Sequence, residues 1–150
     1  AAGKARVVNV ASRLAGGLDL ADVQFERRAW SGRGAYAQSK QADRMLTWAL
    51  ARRLSGTGVT ANAMHPGFVA TEIFGKGGGL ISLGASLYSK LRGRPPEEGA
   101  DTVVWPAASP EAQTSRGRLQ IHRQERRCRF RDEAGEEALW ALCREMTRPA

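Results

Sequence analysis

Tyr36 and Lys40 bracket the stretch Tyr36-Ala37-Gln38-Ser39-Lys40, and on a helix that spacing points both side chains from one face. A phenol, with an ordinary pKa near ~10, is a poor acid–base catalyst at neutral pH. A neighbouring ammonium favours the phenolate and draws that pKa toward the working range. Taken alone, the spacing is more often that of a solvated surface pair. Two further groups give it weight: Ser12, closing an apolar run before it, and His65-Pro66-Gly67, closing another after it.

These groups need elements to hold them. Arg6-Val7-Val8-Asn9-Val10-Ala11-Ser12 is short, apolar and β-branched without alternation, the pattern of a strand buried on both faces. Residues 13–34 carry Gly16, Gly17, Gly32 and Gly34 and read as a loop, with a helical turn around Leu20 to Phe25. From Ala35, helical spacing sets in at Ala42, Met45, Leu46, Ala49, Leu50 and Leu54, and Gly56 or Gly58 stops it. Val59 to Met64 is a second strand. Strand, helix and strand make a βαβ unit, so the two strands should be parallel. Ligands collect at the carboxyl ends of such strands, which places Ser12 and His65-Pro66-Gly67 beside one crevice.

The later chain is read more coarsely. Gly75-Lys76-Gly77-Gly78-Gly79 lacks phosphate-loop spacing and reads as a linker. Leu80, Ile81, Leu83, Leu87 and Leu91 suggest an amphipathic helix suited to a lid or the wall of an apolar pocket. Pro95-Pro96-Glu97-Glu98 opens a helix that should end by Pro106. Gly117 to His122 is a third strand, polar for a central position. Asp132 to Met146 is a final helix with Leu139, Leu142, Cys143 and Met146 on one face. The expected fold class is α/β, a partial Rossmann-like doubly wound parallel sheet.

One hundred and fifty residues allow one domain with a real core, so residues 1–150 are taken as a single unit. The net charge is +8, and four of the 23 basic residues are lysines, leaving 19 arginines. The densest basic stretch, Arg116 to Arg131, has only Phe130 as a stacking residue and fits no nucleic-acid signature. A solvated surface, or the unpaired half of a larger protein, reads better than a nucleic-acid or anionic-surface module. No run approaches the roughly 18 apolar residues of a membrane span, and the start is no signal peptide, so a cytoplasmic protein is expected. Cys128 and Cys143 read as reduced thiols, and His65 and His122 alone make no metal set.

In order along the chain, Val7-Val8-Asn9-Val10-Ala11-Ser12, Tyr36-x-x-Ser39-Lys40 and Asn62-Ala63-Met64-His65-Pro66-Gly67 with Thr71 resemble the short-chain dehydrogenase/reductases. Gly56-Thr57-Gly58-Val59-Thr60 is similar to their retinol-dehydrogenase-like branch. The resemblance implies an oxidoreductase moving a hydride between NAD or NADP, with NADP slightly preferred, and an alcohol or carbonyl of an apolar substrate. It implies that Ser12 orients that group, Tyr36 passes the proton, and Lys40 tunes Tyr36 and holds the nicotinamide ribose. Pro66, Gly67 and Val69 would line the nicotinamide, with Thr71 near its carboxamide.

Such enzymes begin with a strand and a Gly-x-x-x-Gly-x-Gly turn that meets the pyrophosphate, and no such turn follows a strand here. The chain therefore reads as the carboxyl-terminal half of such an enzyme, lacking the first cofactor-binding strands. A catalytically inert fragment is the alternative, with apolar surface that would favour self-association, a homo-oligomer included.

Overall fold

The computed structural model describes residues 4–67, 93 and 95–149. Strand β1 (Ala5–Val10), helix α1 (Gly32–Arg53) and strand β2 (Val59–Met64) form the expected crossover unit. The two strands are parallel in an unbroken register from Ala5↔Val59 to Val10↔Met64. Helix α2 (Pro96–Ala108) precedes β3 (Leu119–Ile121), which adds to β2 in parallel. Strand β4 (Gln124–Arg126) turns back on β3, and helix α3 (Glu133–Met146) closes the described chain. The sheet order is β1-β2-β3-β4.

Alternation along the strands separates two faces. Val7, Asn9, Ala61 and Ala63 turn toward α1, which α3 backs on its outer side. Arg6 and Thr60 turn toward α2, whose last carbonyls Arg6 reaches. Ala61 and Ala63 are fully buried, and their small side chains let α1 approach closely. Trp48 of α1 fills the space with Ala63, Leu119 and Cys128, and its indole N–H donates to the Gly117 carbonyl at 2.8 Å. A buried indole needs such a partner.

Several expectations are corrected. Strand β1 is half-buried rather than covered on both faces, because among the described residues it pairs on one side only. The segment around Leu20 to Phe25 forms turns, not a helical turn, organised by Asp22, whose carboxylate accepts from the Glu26, Arg27 and Arg28 N–H groups. The buried side of α1 includes Gln38, Arg44 and Thr47, whereas Ala42, Leu46, Leu50 and Leu54 are half-buried.

Helix α2 passes through Pro106 and runs to Ala108. The missing proline N–H costs one ladder bond, but the Ser109 N–H closes the last turn on the Trp105 carbonyl at 2.9 Å. Arg6 then caps that end, donating to the carbonyls of Pro106 (3.3 Å) and Ser109 (2.7 Å). The third strand is only Leu119–Ile121, and it leads through a two-residue turn into β4. His122 (φ 50°) and Arg123 (φ 60°) both adopt left-handed backbone, the geometry of a type I′ hairpin, without the Asn-Gly that usually signals one. On α3, Leu139 and Glu136 are buried while Met146 is exposed, so the packed face lies nearer the helix start than expected.

Candidate functional site

The rim formed by the carboxyl ends of β1 and β2 is built from backbone bonds outward. The Ala11 N–H donates to the Met64 carbonyl at 2.7 Å, extending the parallel ladder past β1. Ser12 therefore leaves the sheet beside the point where His65-Pro66-Gly67 leaves it. Its hydroxyl accepts from the Leu14 N–H at 3.2 Å, which makes it a turn residue in this state. The loop that follows is pinned to α1: the Gly16 N–H donates to the Ala37 carbonyl at 3.0 Å, and the Leu18 N–H to Gln41 at 3.1 Å. Gln38 in turn donates to the Val23 carbonyl at 2.7 Å.

Helix α1 is capped by Ser31, whose hydroxyl accepts from the Gly34 N–H. Tyr36 follows in the next turn and is 44% exposed, its hydroxyl without a hydrogen-bond partner among the described residues. Lys40 reaches the sheet: its ammonium donates to the Val10 carbonyl at 3.1 Å and pairs with Asp43 at 2.7 Å. Asp43 was not singled out from the sequence, and it places a carboxylate on the cation expected to act on Tyr36. One turn further, Asn9 donates to Thr47 at 2.8 Å and Thr47 to the Asp43 carbonyl at 2.6 Å, locking β1 against α1.

Arg44 is the largest omission from the sequence reading. It is buried, donates to the Ser12 carbonyl at 2.6 Å, and lies over the Phe130 ring at 5.6 Å. A buried cation is costly unless its donors are used, so this bond fixes where Ser12 sits. Position 44 gave no signal, since an arginine at helical spacing among so many looks like solvated charge. Lys40, Asp43, Arg44 and Thr47 thus form a polar face where a purely apolar stripe would be the default.

At the end of β2, the Gly67 N–H donates to His65 Nδ1 at 3.1 Å, so the ring carries its own proton on Nε2. Burial first, then the positive charges of Arg44, His122 and Arg13, push His65 down to about 4. Gly67 has φ 84°, and a side chain there would meet the His122 ring at 3.3 Å. His122 Nδ1 in turn lies 3.5 Å from the Thr102 hydroxyl of α2. Both histidines therefore frame the Pro66-Gly67 turn, from opposite sequence directions. Ser12, Lys40, Pro66 and Gly67 are held on one rim with Tyr36 on the adjoining helix; Val69, Thr71 and the expected helix from Leu80 to Leu91 lie outside the described residues.

The short chain dehydrogenase family model matches residues 1–78. Human retinol dehydrogenase 13 is 41% identical over 75 residues, covering 49% of this chain and 23% of that protein. Mouse polyprenol dehydrogenase is 38% identical over 138 residues, covering 89% of this chain and 38% of that protein. The chain thus spans well under half the length of these relatives. A crystal structure of an uncharacterised protein from Mycobacterium paratuberculosis superposes with a TM-score of 0.70 at 26% identity, over 96% of this chain and 50% of that one. With the parallel crossover unit and the motif order already described, these matches make the chain a member of the short-chain dehydrogenase/reductase family, in its retinol-dehydrogenase-like branch.

Proposed function

We propose that the chain supplies the catalytic part of an NAD(P)-dependent oxidoreductase acting on an alcohol or carbonyl of an apolar substrate, with NADP slightly preferred. The observation that carries this reading is the pair of bonds from α1 to the end of β1, Lys40 to Val10 and Arg44 to Ser12. They hold the helix bearing the phenol against the loop bearing the hydroxyl. When bound, the nicotinamide supplies the hydride chemistry. The residues present fit such a ring: Gly67, left-handed and packed against His122, carries no side chain at the end of β2, so the backbone there can come close to a flat ring. Pro66 and Gly67, with Val69 and Thr71, would hold it. Lys40 would hold the ribose.

The chain's own chemistry is a proton path. Ser12 positions the substrate oxygen, and Tyr36 donates or accepts its proton through an exposed hydroxyl. Lys40, held at the sheet end, supplies positive charge beside that helix face, and Asp43 moderates it. The reading extends to one catalytic domain in a cytoplasmic setting, capable of self-association; among the described residues no helix is long and apolar enough to cross a membrane. Tyr36→Phe should lower kcat/KM for NADPH-dependent reduction of an apolar aldehyde by about 100-fold or more. Turnover equal to the parent would remove the acid–base assignment.

A second reading, an inert polypeptide, is favoured by one observation: Val10 at the sheet edge is 45% exposed. It predicts no turnover and no saturable micromolar NADPH binding by the 150-residue chain.

A further inference from the structure

The opposite end of the sheet holds a cleft that the oxidoreductase chemistry does not use. It has a volume of about 610 Å³ and opens at the amino ends of β1 and β2, between them, the end of α2 and the segment 113–116. That is the size range of small-molecule pockets. Among the described residues its charged lining is Lys4, Arg6 and Arg116, with no carboxylate. Thr57, Thr60 and Thr114 add hydroxyls.

Two features distinguish this cleft from a basic surface. Thr60 is only 6% exposed, yet its hydroxyl has no hydrogen-bond partner. A buried orphan hydroxyl is costly and calls for an acceptor. In the sheet register Thr60 is the partner of Arg6, so the orphan hydroxyl and a guanidinium rise side by side from one face. Arg6 spends one terminal nitrogen capping α2, which offsets the partial negative charge of that helix end. Arg116 uses both terminal nitrogens on the carbonyls of Leu54 and Thr57. The remaining nitrogens of Arg6, Nε of Arg116 and the Lys4 ammonium have no partner among the described residues.

We propose that this cleft binds a small phosphate-bearing molecule, with Arg6, Arg116 and Lys4 as cations and Thr60 as a buried donor. Guanidinium groups suit phosphate oxygens in geometry as well as charge, and the volume leaves room for an organic remainder. The site is separate from the nicotinamide rim and stands or falls independently of it.

The test is a two-dimensional NMR titration of the chain at low ionic strength with inorganic phosphate and, separately, with glucose 6-phosphate. Saturable shifts are expected at the amides of Thr57, Gly58, Thr60 and Thr114, with Gly67 unmoved. Thr60→Val should weaken binding by about tenfold, the scale of one hydrogen bond to a charged group, and Thr60→Ser should restore it. Should Thr60→Val not fold, Lys4→Gln on the exposed rim replaces it, with a several-fold loss expected. Tighter binding of the sugar phosphate would assign the remainder of the cleft to the organic part, and equal affinities would assign the site to free phosphate. Absence of saturable shifts with both probes, shifts confined to the arginines of 118–131, or undiminished binding in the variants would overturn the proposal.

Discussion

His65 is neutral first because burial disfavours its charged form, and then because a cation there would sit beside Arg44, His122 and Arg13. Its folded pKa, about 4, lies below the ordinary value of 6.5, so the unfolded chain binds the proton more readily between those two values. The associated stability is complete above about pH 6.5 and is lost as the pH falls toward 4, at most about 3 kcal/mol. His65→Asn, which keeps an acceptor for Gly67, should flatten urea-derived stability across that window. A slope unchanged from the parent would contradict this account. Gly67→Ala should cost about 1–2 kcal/mol from left-handed backbone, plus a contact with His122. His122→Ala should relieve only the second part, so a double-mutant cycle in urea should show coupling between the two positions. Strict additivity would argue that they do not touch. From the sequence His65 reads as a structural hydrogen-bonder at the end of β2, and the two histidines together make no metal set. That they share one turn follows from β3 pairing beside β2, which no local pattern announces.

Helix α1 carries the candidate site on one end and a clamp on the other. Arg52 meets the carboxylates of Glu136 and Glu137, and Arg53 meets Glu137 while lying 4.3 Å over the Trp140 ring. Glu136 is 1% exposed and is paired with Arg52. Arg52→Met should destabilise the fold by roughly 3–5 kcal/mol, because it strands a buried carboxylate. A loss within the range of an exposed pair, under about 1 kcal/mol, would show that water reaches Glu136. The existence of α1, α3, β1 and β2 was legible from spacing and β-branching alone. Their buried faces were not, because Arg44, Thr47 and Glu136 are polar residues whose burial rests on partners far along the chain. Strand β4 was hidden for a related reason: a type I′ turn built from His122-Arg123 has none of the residues that normally mark it. Helix α2 outran Pro106 because Arg6, a hundred residues earlier, caps its end.

At the scale of the whole molecule, the two ends of one sheet are proposed to carry two different chemistries. The amino ends hold the cationic cleft; the carboxyl ends hold the hydroxyl, phenol and ammonium that the family motifs mark. The sequence pattern did predict that Ser12 and His65-Pro66-Gly67 leave the sheet side by side, since parallel strands joined by a helix bring their ends together whatever the loops do. The amino-end cleft was illegible, because Arg6, Thr60 and Arg116 sit in unrelated segments and carry no spacing signal. The central claim is that Ser12, the Tyr36–Lys40 face and Pro66-Gly67 form one nicotinamide-facing rim. Nicotinamide mononucleotide, which carries only the reactive end of the cofactor, tests it most directly when titrated at millimolar concentration into the isotope-labelled chain. Saturable amide shifts should cluster at Ser12, Lys40 and Gly67 and disappear in Lys40→Ala, with the rest of the sheet unmoved. Shifts scattered over the arginine-rich surface, or a response indifferent to Lys40→Ala, would contradict the account.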